Sequence, residues 1–208
     1  LYLWLAGMDR ERYDPVVITL HPDHNDYWEK PIEDLGIKLI RIPQRANRMH
    51  RLLEIIKVLW DYKPEVIHGW HLFASVYAGL SAKVLRTKSI GGIRNAYESL
   101  GSHRLELFIT LKTVDAIIAN SFATSEQIKR RLSSRRVKVF PVQNAITDDY
   151  SPRAEIRKNL VEKYALPEDA TWIASMGRMD PLKRFDLLLE VIARVREEMK
   201  NFHLLLIG

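Results

Sequence analysis

Apolar residues along the chain fall into two alternating patterns. Short runs rich in β-branched residues, at 16–20, 37–42, 65–68, 88–94, 115–120 and 137–142, are predicted strands. Between them lie stretches whose apolar positions recur every three to four residues. The spacing predicts a helix over 47–62, with Leu52, Leu53, Ile56, Val58 and Leu59 turned to a core and Pro64 stopping it before the next strand. A second helix is predicted over 72–85, where small and apolar residues suit close packing on a sheet. Repeated strand–helix units of this kind specify an α/β fold around a parallel sheet. Residues 1–6 read as the end of a helix whose preceding strand and loop are expected upstream.

After Val142 the rhythm breaks into Gln143-Asn144-Ala145-Ile146-Thr147-Asp148-Asp149-Tyr150-Ser151-Pro152, a polar, turn-rich passage suited to joining domains. The expected division is a domain over 1–150 and the start of a second over 151–208. The second portion predicts a helix over 153–164, a strand over 171–176, a helix over 181–199 and a strand over 203–207. A domain ending on its second strand has an unpaired edge and little core, so continuation beyond Gly208 is expected.

With 47% hydrophobic and 28% charged residues, the 208-residue chain has the balance of a soluble globular protein. It has no apolar run of the roughly 20 residues that cross a bilayer, and its first residues lack signal-peptide features, so a cytoplasmic location is expected. The absence of cysteine excludes disulfides and thiolate metal sites. Much of the net charge of +6 lies in two stretches: Arg41, Arg45, Arg48, Arg51 and Lys57 against Glu54, and Lys129, Arg130, Arg131, Arg135, Arg136 and Lys138 with no acid among them. Both read as exposed helix or hairpin edges. They are either solvated faces or peripheral contacts with an anionic membrane surface; no recognition motif or interleaved aromatic residue points to nucleic acid.

The densest chemical signal is Ser175-Met176-Gly177-Arg178-Met179-Asp180-Pro181-Leu182-Lys183-Arg184-Phe185-Asp186. Asp180 suits a helix N-cap and Pro181 a first helical position, followed by an apolar stripe of Phe185, Leu188, Leu189, Ile192 and Val195. Gly177 and Arg178 then stand at the carboxyl end of a strand with Lys183 in the first helical turn, where free N–H groups attract anions. Arg178 and Lys183 together suit a diphosphate, binding it and offsetting the charge that develops as it leaves. The competing reading is a pair of solvated cations near a helix end, and Asp180 opposes an anion unless it turns to cap the helix.

At these residues the sequence resembles the group 1 glycosyltransferases, also called family 4, which transfer sugar with retention and have the GT-B fold of two Rossmann-like domains. The family signature G-R-x-x-x-x-K-G-x-D-x-L-L is similar to Gly177, Arg178, Lys183, Asp186, Leu188 and Leu189, with Arg184 where the family has its second glycine. The resemblance continues through VDAIIANS (114–121), KVFPVQNAI (138–146) and HLLLIG (203–208). It implies that Arg178 and Lys183 contact the donor diphosphate, and that acceptor and donor meet in a cleft between domains. It also implies that a glutamate pair lies beyond Gly208 and a glycine-rich loop upstream of Leu1, so the fragment by itself is expected to be inactive.

Further candidates stand at other strand ends. Gly91, Gly92, Arg94 and Asn95 lie where the family often carries a histidine, and Arg94 serves either an anionic part of a substrate or its own loop. In His68-Gly69-Trp70-His71, His68 is placed either to hydrogen-bond a sugar hydroxyl or nucleotide, or to pack and cap. Asn144 either touches substrate or shapes the interdomain turn. The run His21-Pro22-Asp23-His24-Asn25-Asp26 reads as a loop, and neither a metal nor a cofactor is expected. The implied activity is transfer of a hexose-type unit from a UDP- or GDP-sugar to an acceptor hydroxyl on a sugar or lipid-linked partner, in cell-surface polysaccharide or glycolipid synthesis. The alternatives are a GT-B-like nucleotide-sugar epimerase and a non-catalytic nucleotide-sugar binding or membrane-scaffolding protein.

Overall fold

The structure, a computed structural model, describes residues 1–20, 27–43, 47–94, 103–132, 137–146 and 152–208. The chain separates into two compact units, Leu1–Ile146 and Thr147–Gly208. In the first, helix α1 (Tyr2–Ala6) precedes β1 (Val16–Thr19), α2 (Glu29–Asp34), β2 (Lys38–Arg41), α3 (Arg48–Tyr62), β3 (Val66–Gly69), α4 (Leu72–Leu85), β4 (Lys88–Ile93), α5 (Arg104–Thr113), β5 (Ala116–Ala119), α6 (Phe122–Arg131) and β6 (Lys138–Pro141). Every pairing is parallel: β1 with β2, and β3-β4-β5-β6 in that order. Parallel neighbours need a crossover, and α2, α4, α5 and α6 supply those between the paired strands.

The strands overlap the runs predicted for them, and side-chain caps mark where two of the helices begin. Asn47 starts α3 by accepting the Met49 N–H at 2.8 Å, and Ser121 starts α6 by accepting that of Thr124 at 3.1 Å. Ile93, Leu107, Val114, Ile117 and Ile128 form the core over the four-stranded sheet. Ile42, Ile55, Leu59 and Tyr77 form a second, against which Ile18 of β1 and Ile67 of β3 pack, so one helical layer covers both sheets.

Helix α3 departs from the sequence reading in two ways. Leu53 is 55% exposed rather than in the core, while Arg51, expected at an exposed edge, is 4% exposed. Arg51 shares its helix face with Ile55 and Leu59, one and two turns on, and its guanidinium lies over Phe73 at 5.5 Å and Tyr77 at 6.0 Å. The rest of the basic stretches is partly neutralised. Arg41 bonds Glu29 at 2.8 Å and Glu33 at 2.9 Å, Arg48 pairs with Glu106 at 3.2 Å, and Lys129 with Glu126 at 2.9 Å. Arg45, Arg135 and Arg136 lie outside the described residues, as do residues 21–26.

The second unit comprises α7 (Arg153–Tyr164), β7 (Thr171–Met176), a 3-10 turn (Pro181–Lys183), α8 (Phe185–Glu198) and β8 (Phe202–Ile207), with β7 and β8 parallel. Phe185, Leu188, Ile192 and Val195 are half-buried at helical spacing, but Leu189 is 51% exposed. The predicted single helix over 181–199 is broken at Arg184, whose φ of 49° is left-handed. Lys183 therefore belongs to a short turn before α8, not to the first turn of the long helix. The left-handed backbone also gives a physical reason for glycine at this place in the signature: without a Cβ it adopts this conformation at no steric cost.

Candidate functional site

The signature residues Gly177, Arg178 and Lys183 come together in the turn that leaves β7. The Gly177 N–H donates to the Ile207 carbonyl at 2.8 Å, which holds the turn against the end of β8. A Cβ on Gly177 would lie 3.4 Å from Lys183 Cδ and 3.5 Å from Cγ, so the lysine stem runs directly over the bare glycine backbone. Asp180 turns inward to cap the 3-10 turn, accepting the Leu182 N–H at 2.9 Å. Its second oxygen lies 4.0 Å from the Arg178 guanidinium, which is otherwise 83% exposed. The carboxylate that opposed an anion site is thus engaged in capping, while both cations remain accessible. One is a planar fork of donors and the other a mobile point charge, the pair that suits a diphosphate.

His68, Gly92, Arg94 and Asn144 form a separate cluster in the first unit, at the carboxyl ends of β3 and β4. Backbone crowding explains the glycines. A Cβ on Gly92 would lie 2.6 Å from the Trp70 carbonyl carbon and 2.7 Å from the Gly69 oxygen, and one on Gly69 would lie 2.5 Å from Ser75 Cα. The buried Ser75 hydroxyl fastens the junction, accepting the Gly92 N–H at 2.8 Å and donating to the His71 carbonyl at 2.8 Å. Arg94 leaves this junction with its guanidinium 4.9 Å from the Trp70 ring centroid and bonded to Asn144 Oδ1. Asn120 at the end of β5 donates to the Arg94 carbonyl at 2.8 Å. Burial, and then the Arg94 charge, hold the His68 imidazole below its ordinary pKa, so it is neutral at physiological pH.

Asn95 lies outside the described residues. Sequence reasoning assigned no role to Trp4, Trp70, Ser75 or Asn120. Trp70 sits inside the quoted His68–His71 motif, but Trp4 arrives from α1, and no local pattern announces that contact. Among the described residues, no group of three or more His, Asp or Glu side chains is arranged to hold a metal, and no helix is long and apolar enough to cross a membrane.

Solved structures share this fold. HepE of Anabaena, crystallised with UDP and glucose, superposes with a TM-score of 0.76 at 13% identity over 99% of this chain and 56% of that one. A glycosyltransferase from Rickettsia africae gives 0.67 at 17% over 100% and 55%, and a UDP-N-acetylglucosamine 2-epimerase from Rickettsia bellii gives 0.55 at 13% over 99% and 57%. The chain thus spans a little over half the length of these proteins, and the likeness fixes the fold as GT-B, α/β with parallel Rossmann-like sheets. No curated protein sequence matches it. Residues 1–150 match Glycosyltransferase Family 4, which covers most of the chain, and the protein belongs to that family.

Proposed function

We propose that the full-length protein transfers a hexose-type unit from a UDP- or GDP-sugar to the hydroxyl of a sugar or lipid-linked acceptor in polysaccharide or glycolipid synthesis. The observation that carries this reading is the turn after β7. Lys183 lies over Gly177, Arg178 is accessible, and Asp180 caps the turn with one oxygen while its other lies 4.0 Å from Arg178. As the bond from the anomeric carbon to the diphosphate oxygen breaks, negative charge collects on the departing nucleoside diphosphate. Arg178 and Lys183 neutralise it, so they act more strongly on the transition state than on the bound donor. The acceptor oxygen then bonds to the anomeric carbon, and its proton passes to the departing diphosphate oxygen. The complexes of HepE with UDP and with UDP-glucose support a UDP donor. The family resemblance supports transfer with retention.

A peripheral membrane contact is supported by exposed apolar residues on α3, within and just beyond the first basic stretch. Met49, Leu53 and Trp60 form a single exposed stripe on α3, opposite its core face, with Lys57 and His50 along one flank. Leu105 and Phe108 are exposed on α5, which the Arg48–Glu106 pair ties to the start of α3. An anionic bilayer interface suits such apolar residues edged by a lysine.

The test is release of nucleoside diphosphate from UDP- and GDP-hexoses by the full-length protein with a mixed glycan acceptor. Arg178→Ala and Lys183→Ala are each expected to lower turnover by roughly 10²–10³-fold without loss of folding. Near-normal turnover in both would remove the assignment.

A further inference from the structure

The cluster at the ends of β3 and β4 has a chemistry of its own. Trp4, half exposed, lies 5.7 Å from Trp70 with ring planes at 44°, and 5.8 Å from His68 at 86°; His68 and Trp70 are 5.4 Å apart at 55°. No two of these rings are parallel, so they form a faceted wall rather than a slot. A flat nucleotide base gains most between or along parallel ring faces. A puckered pyranose instead presents C–H bonds at several angles, and each is attracted to the electron-rich face of an aromatic ring.

Arg94 adds a charge to this wall. Its guanidinium is held flat by Trp70 and anchored by Asn144, its backbone by Asn120, and among the described residues no carboxylate pairs with it. A partly buried, pre-oriented guanidinium is matched to a carboxylate or a phosphate, and its rigidity lowers the cost of binding either. The neutral His68 beside it offers one donor and one acceptor, the complement of sugar hydroxyls. Only Arg94 among these four side chains carries a charge at neutral pH, so the wall favours a ligand that is mostly hydroxylated and carries one anionic group.

We propose that Trp4, His68, Trp70 and Arg94 bind a pyranoside bearing an anionic substituent, and that this acidic sugar is the acceptor. Its role as acceptor rests on the glycosyltransferase reading; its binding does not.

The experiment titrates the full-length protein with methyl β-D-glucuronide, glucose 6-phosphate and uncharged methyl β-D-glucoside, followed by calorimetry and tryptophan fluorescence, with UDP and GDP titrated in parallel. At least one anionic sugar is expected to bind about tenfold or more tightly than the glucoside, and which one does so identifies the substituent. Arg94→Gln should erase that preference and Trp4→Ala should weaken all binding sugars alike, both with nucleotide binding unchanged. Equal affinities, no sugar binding, or a preference that survives Arg94→Gln would overturn the proposal. If Arg94→Gln does not fold, Arg94→Lys, which keeps the charge but loses the fork and the stacking, should reduce the preference; an unaltered preference overturns it. Acidic-sugar selectivity without binding of either nucleotide would remove the glycosyltransferase reading and leave the subsite standing.

Discussion

Replacing Gly92 by alanine tests how the strand-end cluster is built. The added Cβ would stand 2.6 Å from the Trp70 carbonyl carbon and 2.7 Å from the Gly69 oxygen, both backbone atoms of the neighbouring strand's end. Carbon atoms in ordinary contact sit at about 3.5–4.0 Å, so the two strand ends must separate by close to 1 Å. Overpacking of this kind costs about 1–3 kcal/mol. Separation also pulls the Gly92 N–H from the Ser75 hydroxyl, now 2.8 Å away and buried, at a further cost of about 1 kcal/mol. Gly92→Ala is therefore expected to destabilise the first unit by about 3 kcal/mol. Gly177→Ala is the control. Its Cβ meets only the flexible Lys183 stem at 3.4 Å, and stability should change by no more than about 0.5 kcal/mol. Urea unfolding of the full-length variants, followed by circular dichroism and tryptophan fluorescence, measures both. A Gly92→Ala protein within about 0.5 kcal/mol of wild type, or one less affected than Gly177→Ala, would refute the account of the junction.

Three further outcomes follow from the same geometry. His68 has its pKa lowered by burial and by Arg94, so the unfolded chain takes up a proton first as pH falls below the ordinary value near 6.5; stability should drop from there until the folded-state pKa is passed, and His68→Asn should flatten the drop in urea titrations across pH 7 to 5. Arg51→Ala removes a buried guanidinium stacked on Phe73 and Tyr77 and should cost about 2 kcal/mol in the same unfolding assay, an effect that a solvated surface arginine would not show. The double substitution Leu53→Ser, Trp60→Ser should reduce co-sedimentation of the full-length protein with anionic vesicles by about tenfold or more while leaving the fold intact; unchanged sedimentation would detach α3 from the membrane reading.

How far the sequence could be read depended on whether the deciding contact was local. Strand positions and the two long helices were legible because period and punctuation are local signals; Asn47, Pro64 and Asp180 end or begin elements through their own neighbours. The placement of Leu53 and Arg51 was not, because α3 carries two apolar stripes and only packing against α4 decides which faces inward. Helices α2 and α6 carry few apolar residues, and those of α5 are spread around the helix, so periodicity alone did not mark them. The single helix expected over 181–199 failed at Arg184, where a left-handed backbone is occupied by a residue that does not advertise it. The Gly177, Arg178 and Lys183 turn was legible because its members lie within seven residues of one another. In the strand-end cluster, Trp4, His68, Arg94 and Asn144 are gathered from four distant segments by the parallel sheet, and no spacing in the sequence records that meeting.

The account turns on the diphosphate site, and calorimetric titration of the full-length protein with UDP and GDP, beside its Arg178→Ala, Lys183→Ala double variant, tests it most directly. Two charge-assisted contacts at about 1.5–3 kcal/mol each predict that one of the nucleotides binds and that the double variant loses about 100-fold or more in affinity. Equal affinity in wild type and variant, or no binding of either nucleotide, would contradict it.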